Sequence, residues 1–140
     1  MLIIEELNES YPLRPAWWKR FIDNTNIKWT HGKKELDKFF IYLNSISPEI
    51  KFAMEMEENM SIPFLDVLII RKEDGSLGHK VFKKSTHTES YLHTESHHHP
   101  SQKFGVMNTL AIRALRISDS EHLDEDKKHL VSVFKGIGYK

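Results

Sequence analysis

The spacing of apolar residues constrains this fold most, because it switches from short alternating runs to a helical repeat at Pro100. Before that point, Phe52, Met54 and Met56 alternate with Lys51, Ala53, Glu55 and Glu57, the period of two that predicts a strand with one buried face. Pro63 to Ile70 is nearly all apolar, breaks at Glu73 to Ser76 and resumes from Gly78 to Phe82. That pattern predicts a hairpin in which Asp66 interrupts a buried strand. An earlier hairpin is predicted within Trp18 to Trp29, where Arg20 to Ile22 and Asn26 to Trp29 flank Asp23, Asn24 and Thr25, with Asp and Asn tolerant of a tight turn. Between the hairpins, Leu36, Phe39, Phe40, Leu43 and Ile46 fall at helical spacing from Gly32 to Pro48.

From Pro100 onward Phe104, Met107, Ala111 and Leu115 share one helical face, and proline suits a first helical turn. Ser118 and Glu121 have the spacing of a capping box and start a second helix with the stripe Leu123, Leu130, Phe134 and Ile137. Acids at Glu121, Asp124, Glu125 and Asp126 and a base at Lys135 suit its dipole, and Gly136 and Gly138 end it. The order of hairpin, helix, strands and two helices makes the fold class α+β.

At 140 residues one domain with its own core is expected. The 20 basic and 20 acidic residues cancel, so any nucleic-acid or membrane contact must come from local patches. The absence of cysteine excludes disulfides and thiolate chemistry and sits with an intracellular protein. Glu5 and Glu6 follow Met1 to Ile4 directly, so no secretory signal is expected, and no run approaches the roughly 20 apolar residues of a membrane span.

An aspartate at the tip of an apolar hairpin, here Asp23, is where nucleotidyl-transfer enzymes hold a divalent metal. Asp66 reads as a strand carboxylate bonded to backbone amides rather than a second such ligand. Lys80, Lys83 and Lys84 read equally as phosphate ligands or as a lysine-rich strand edge. His93 and His97 are four apart, with His98 and His99 following, which admits a zinc reading. The same loop, with Ser101, Gln102 and Lys103 at a helix start, suits a phosphate. Arg113 and Arg116 lie one turn apart on the first of two helices joined by a short turn. That pair reads as a helix-turn-helix or as a helical hairpin.

Trp18-Lys-Arg-Phe-Ile-Asp-Asn24 resembles the Tyr-Val-Asp-Asp hairpin, motif C, of Penelope-like retroelement reverse transcriptases. Trp29-Thr-His-Gly32, Phe64-Leu-Asp-Val67, Asp74-Gly-Ser-Leu-Gly-His79, Thr86-His-Thr88, Tyr91-Leu-His93, Ser96 to Lys103 and Arg113 to Ser118 resemble that family in its order, over roughly residues 15 to 138. The resemblance implies the last part of an RNA-directed DNA polymerase. Residues 1–95 would be a partial palm, with the motif C hairpin, one helix and a primer-grip-like hairpin, and 96–140 a helical, helix-turn-helix-like thumb. The fingers, the motif A aspartate and motif B are not in this stretch. Mg2+ is the cofactor of the parent family, and Asp23 carries over as its ligand. Asn24 stands where the pattern has a second acid, and an amide is the poorer Mg2+ ligand. The implied molecule is a truncated, catalytically inactive remnant without a functional metal. It would bind an RNA–DNA or DNA duplex, with no membrane partner, and the resemblance extends its intracellular setting to the nucleus. The alternative is a non-catalytic helix-turn-helix protein that binds DNA.

Overall fold

A computed structural model describes residues 11–140, in an α+β arrangement. The order is β1 (Trp17–Phe21), β2 (Asn24–Lys28), α1 (Lys33–Ile46), β3 (Ser61–Phe64), β4 (Val67–Arg71), β5 (Leu77–Val81), α2 (Pro100–Ile117) and α3 (Leu123–Gly136). Two compact units meet in sequence between Met56 and Glu57. The stretch from Met1 to Glu6, read above for targeting, lies outside the described residues. No helix among the described residues is long and apolar enough to cross a membrane.

In the first unit β1 and β2 pair antiparallel, with Trp18 opposite Ile27 and Phe21 opposite Asn24. The turn is therefore Ile22-Asp23, displaced from the expected Asp23 to Thr25, and Asn24 and Thr25 are strand residues. A two-residue loop matches the twist of the strands, and Thr25 fits a strand better than a turn. The shorter loop puts Ile22 at φ 52°, a left-handed conformation that a β-branched residue adopts at a cost of about 1–2 kcal/mol. Ile22 is 70% exposed, so little packing offsets that cost. Ile22→Gly is expected to stabilise this unit by about 1 kcal/mol. The check is the urea midpoint followed by tryptophan emission, and an unchanged or lower midpoint would contradict it.

Helix α1 carries the expected stripe, and Phe39 (1% exposed) and Leu43 are its buried positions. Trp29 stacks on the Phe39 ring at 5.0 Å, while Tyr11 and Trp18 meet it edge-on at 5.1 and 6.2 Å. The indole N–H of Trp29 donates to Gly32 O at 2.9 Å and holds the corner into α1. The strand expected over Lys51 to Glu57 does not form. Within it the Phe52 backbone pairs instead with a side chain. Phe52 N–H donates to Asn44 Oδ1 at 2.7 Å and Phe52 O accepts from Asn44 Nδ2 at 3.3 Å. An amide side chain on α1 thus takes the place of a neighbouring strand, and Met54 and Met56 stay exposed.

In the second unit β3, β4 and β5 form an antiparallel sheet in that order. The apolar run from Pro63 to Ile70 is two strands, folded at Leu65-Asp66 with Phe64 opposite Val67. Asp66 therefore does not interrupt a buried strand. It occupies a turn, with its side chain 71% exposed. Leu65 has φ 55°, so both hairpins turn on Phe, a branched residue with positive φ, and Asp. Arg71 N–H donates to Met60 O at 2.7 Å. The alternation from that pair turns the Pro63 nitrogen away from β4, where a missing N–H costs no ladder bond.

Helix α2 starts at Pro100, with His99 as its cap: Nδ1 accepts from Ser101 N–H at 3.2 Å. Its inner face differs from the stripe read in the sequence. Phe104 and Leu115 are exposed, and the buried residue is the small Ala114, flanked by the half-buried Leu110 and Ile117. Apolar residues lie on more than one side of α2, so periodicity alone does not choose the side. Ser118 is not the cap of α3 but the C-terminal cap of α2, its N–H bonded to Ala114 O at 3.0 Å. Beyond α3, Gly138 adopts φ 91° and Tyr139 N–H returns to Phe134 O at 3.0 Å, a left-handed helix end.

Candidate nucleic-acid interface

The corner between α2 and α3 is built on the outer edge of β5. Pairing with β4 leaves the His79 and Val81 amides facing away from the sheet. His79 N–H donates to Asp119 Oδ2 at 3.1 Å, and His79 O accepts from Asp119 N–H at 2.9 Å. Val81 N–H donates to Asp126 Oδ2 at 3.3 Å. The buried Asp126 also receives the Ser118 hydroxyl. Two aspartates at the helical corner thus take up strand donors that would otherwise form an open edge. Gly78 permits this approach, since a Cβ there would stand 2.9 Å from Lys72 Cε and 3.1 Å from Asp119 Oδ2.

Asp119 organises the corner. Its Oδ1 accepts from His122 N–H at 3.0 Å and lies 2.7 Å from His122 Nδ1. Burial works to raise its pKa, but the hydrogen bonds from the His122 ring and the His79 and His122 amides outweigh burial. They hold the carboxyl well below the ordinary carboxylate range. The acids near the start of α3 mostly turn inward or find lysines. Glu121 pairs with Lys72 at 2.5 Å, Glu125 with Lys80 at 3.3 Å, and Asp126 is buried. Asp124 remains exposed, 3.8 Å from Lys127. Asp119, Glu121 and His122 are the only group of three potential metal ligands among the described residues, and the Lys72 ammonium already contacts both acids.

The ends of the helical region are also tied. Thr94 N–H donates to Ile137 O at 3.0 Å, Tyr139 Oη donates to Leu92 O at 2.9 Å, and Lys103 Nζ donates to Thr94 O at 2.6 Å. A Cβ on Gly138 would lie 2.5 Å from Thr94 Cγ2, so only glycine lets the C-terminal segment close on this loop.

Against this frame the candidate residues separate. Asp23 lies exposed at the hairpin tip and Asn24 opens β2 beside it, in the first unit. Lys80 is held by Glu125, and Lys103 by the Thr94 carbonyl. Arg113 meets Asp66 at 3.1 Å. Lys83 meets Glu89 at 3.2 Å, and His129 reaches the same carboxylate at 2.6 Å. Burial of Glu89 acts to raise its pKa, and the His129 and Lys83 hydrogen bonds win, lowering it. Lys83, Lys84 and Arg113 come together around a cavity of about 320 Å³. The His99 ring already accepts the Ser101 amide at the start of α2, while Gln102 is exposed. His93 Nδ1 accepts from Glu95 N–H at 3.1 Å, and His97 is exposed. Arg116 is exposed in the last turn of α2. Lys72, Glu89 and Asp119 carry no motif spacing that marks them in the sequence, and His79 stands there only as the last residue of the Asp74 to His79 motif.

Two helices joined by a short turn, with the corner fixed by side-chain caps, form a helix-turn-helix unit. Residues 90–140 match the family model of the animal helix-turn-helix domain. That span runs from just before the tied loop at Leu92 to the C-terminal residue. No curated protein and no solved structure matches the chain.

Proposed function

We propose that this chain binds a nucleic-acid duplex through the helix-turn-helix unit, gripping the phosphate backbone more than reading bases. The observation that carries the proposal is the helix-turn-helix match over residues 90–140, on a helix pair whose corner is rigidly capped. Gln102, Thr109 and Arg116 are exposed on α2 at seven-residue intervals, which places them on one side of the helix. Lys128 and Lys135 are exposed on α3 at the same interval. Side chains of these kinds position a protein on phosphates. The internal pairing of Glu121 and Glu125 with lysines reduces the repulsion that acids near the start of α3 would exert on DNA.

The reverse-transcriptase ancestry is a second reading, supported by Asp23 standing exposed at the tip of a two-residue hairpin turn as the motif C resemblance requires. In that reading residues 1–95 are palm-derived and 96–140 thumb-derived. Asp23 then stands as a remnant Mg2+ position without its second acid, and the grip on a template-primer duplex outlasts polymerase activity.

Fluorescence anisotropy of a labelled RNA–DNA duplex and a DNA duplex, at low and moderate salt, tests both. Saturable binding that weakens with salt is expected, and Arg116→Ala should weaken it about three- to tenfold and lower the salt slope by about 1. Equal loss on all sequences fits a backbone grip. A loss confined to one DNA sequence fits the base-reading alternative, and no binding at low salt overturns the proposal.

A further inference from the structure

Helix α2 turns one uncharged face to solvent for three turns. Phe104, Asn108, Ala111 and Leu115 are all exposed, Phe104 at 66% and Leu115 at 57%. Their spacing of four, three and four residues is that of a two-helix seam, whose positions repeat every 3.5 residues on average. The flanks of the seam at Gly105 and Ile112 are exposed and uncharged too. In a chain with 29% charged residues, this face offers a strongly charged partner nothing to pair with. With 20 basic and 20 acidic residues, two copies of the chain have no net charge to hold them apart. Gly105 lies in the second turn of α2, where a Cβ would meet nothing within 4 Å among the described residues. Packing among those residues therefore does not require glycine, the residue that least favours a helix after proline. Beside a seam, it lets a second backbone come close. Asn108 is the single polar residue of the seam. An Asn at such a position, facing its own copy across the axis, fixes both the register and the two-stranded state.

We propose that α2 pairs with α2 of a second copy of this chain, parallel and in register, with the two Asn108 side chains meeting across a two-fold axis. Phe104, Ala111 and Leu115 then meet their own counterparts, an isologous contact. Gln102, Thr109 and Arg116 lie at least about 80° around α2 from the seam residues, so pairing leaves the side proposed for phosphates open on both copies. The inference goes beyond the duplex reading and does not depend on it. A seam of three turns falls at the small end of specific interfaces, below about 1,200 Å² in total, so the expected dissociation constant is about 10 µM.

The test is sedimentation velocity of the full chain from about 1 to about 200 µM, a range that brackets the expected midpoint. A reversible shift from monomer to dimer is expected. Phe104→Glu and Leu115→Glu, at positions exposed in the single copy, should each weaken it at least about tenfold while circular dichroism stays unchanged. The chain has no cysteine, so a single introduced one can form a disulfide only between copies. Ala111→Cys should cross-link on mild oxidation, whereas Thr109→Cys, on another side of α2, should not. The cysteine pair keeps the test decisive if a glutamate variant fails to fold. A chain that stays monomeric at the highest concentration overturns the proposal, whichever other partner the face takes. So does a dimer that both folded glutamate variants leave intact, or cross-linking of the Thr109→Cys variant as readily as of Ala111→Cys. Duplex binding by a chain that stays monomeric defeats this inference alone.

Discussion

Asp119→Ala is expected to destabilise the second unit by about 3 kcal/mol, because one truncation strands three donors. The His79 amide, the His122 amide and the His122 ring each lose their acceptor. A lost helix-start cap costs about 1 kcal/mol, and a donor left unpaired away from water about 1–3 kcal/mol. For a unit of 84 residues, Glu57 to Lys140, that corresponds to a melting temperature lower by about 15 °C. Hydrogen exchange should localise the effect, with the amides of residues 77–82 and 119–123 losing protection first. A variant that melts within 2 °C of the parent would show that the corner is held by something else. The same carboxylate gives a pH dependence. Its folded pKa lies below the ordinary 3.8, so the unfolded chain takes up the proton first as acid is added. Its stabilisation is complete above about pH 5 and fades as pH falls through 4 and lower. Asp119→Asn should flatten that acid limb while keeping one acceptor oxygen.

Phe39→Ala is expected to cost the first unit about 4 kcal/mol, enough to unfold a unit with so small a core. Among the described residues Phe39 is the one large side chain almost wholly removed from solvent, and three aromatic rings meet it. The chain's 3 tryptophans, Trp17, Trp18 and Trp29, all belong to this unit, so their emission reports on it directly. The variant's emission maximum should lie near that of the urea-unfolded chain before denaturant is added. An unshifted maximum would mean that Trp29 and Trp18 are packed independently of Phe39.

The helices were legible because their signals are local. The spacing of Phe39 and Leu43, the proline at 100 and the glycines at 136 and 138 each act within one or two turns. The strands were less legible where a distant partner decides. Lys51 to Glu57 has good alternation, but Asn44 offers Phe52 a side-chain partner and no strand lies beside it. Pro63 to Ile70 looked like one buried strand because a turn on Leu65-Asp66 has no glycine to announce it. The capping box at Ser118 and Glu121 failed by one position: Asp119, next in sequence, caps His122 while Ser118 faces Asp126. Of the candidate binding residues, Arg116 and Gln102 stay exposed, whereas Lys80, Lys103 and Arg113 are engaged within the protein. Charge identity is visible in a sequence, but whether a charge is already matched depends on contacts 40 or more positions away, as with Lys80 and Glu125.

The edges of the three-stranded sheet bear on how the protein behaves when concentrated. On β5 the outward amides of His79 and Val81 are occupied by Asp119 and Asp126. On β3 the outward position at Pro63 has no N–H to offer. A foreign strand adding to either side would have to displace a helical corner or skip a hydrogen bond. This sheet is therefore a poor seed for cross-β fibrils. Self-association would be channelled to exposed apolar helix residues such as Phe104 and Leu115, giving assemblies in which helices survive.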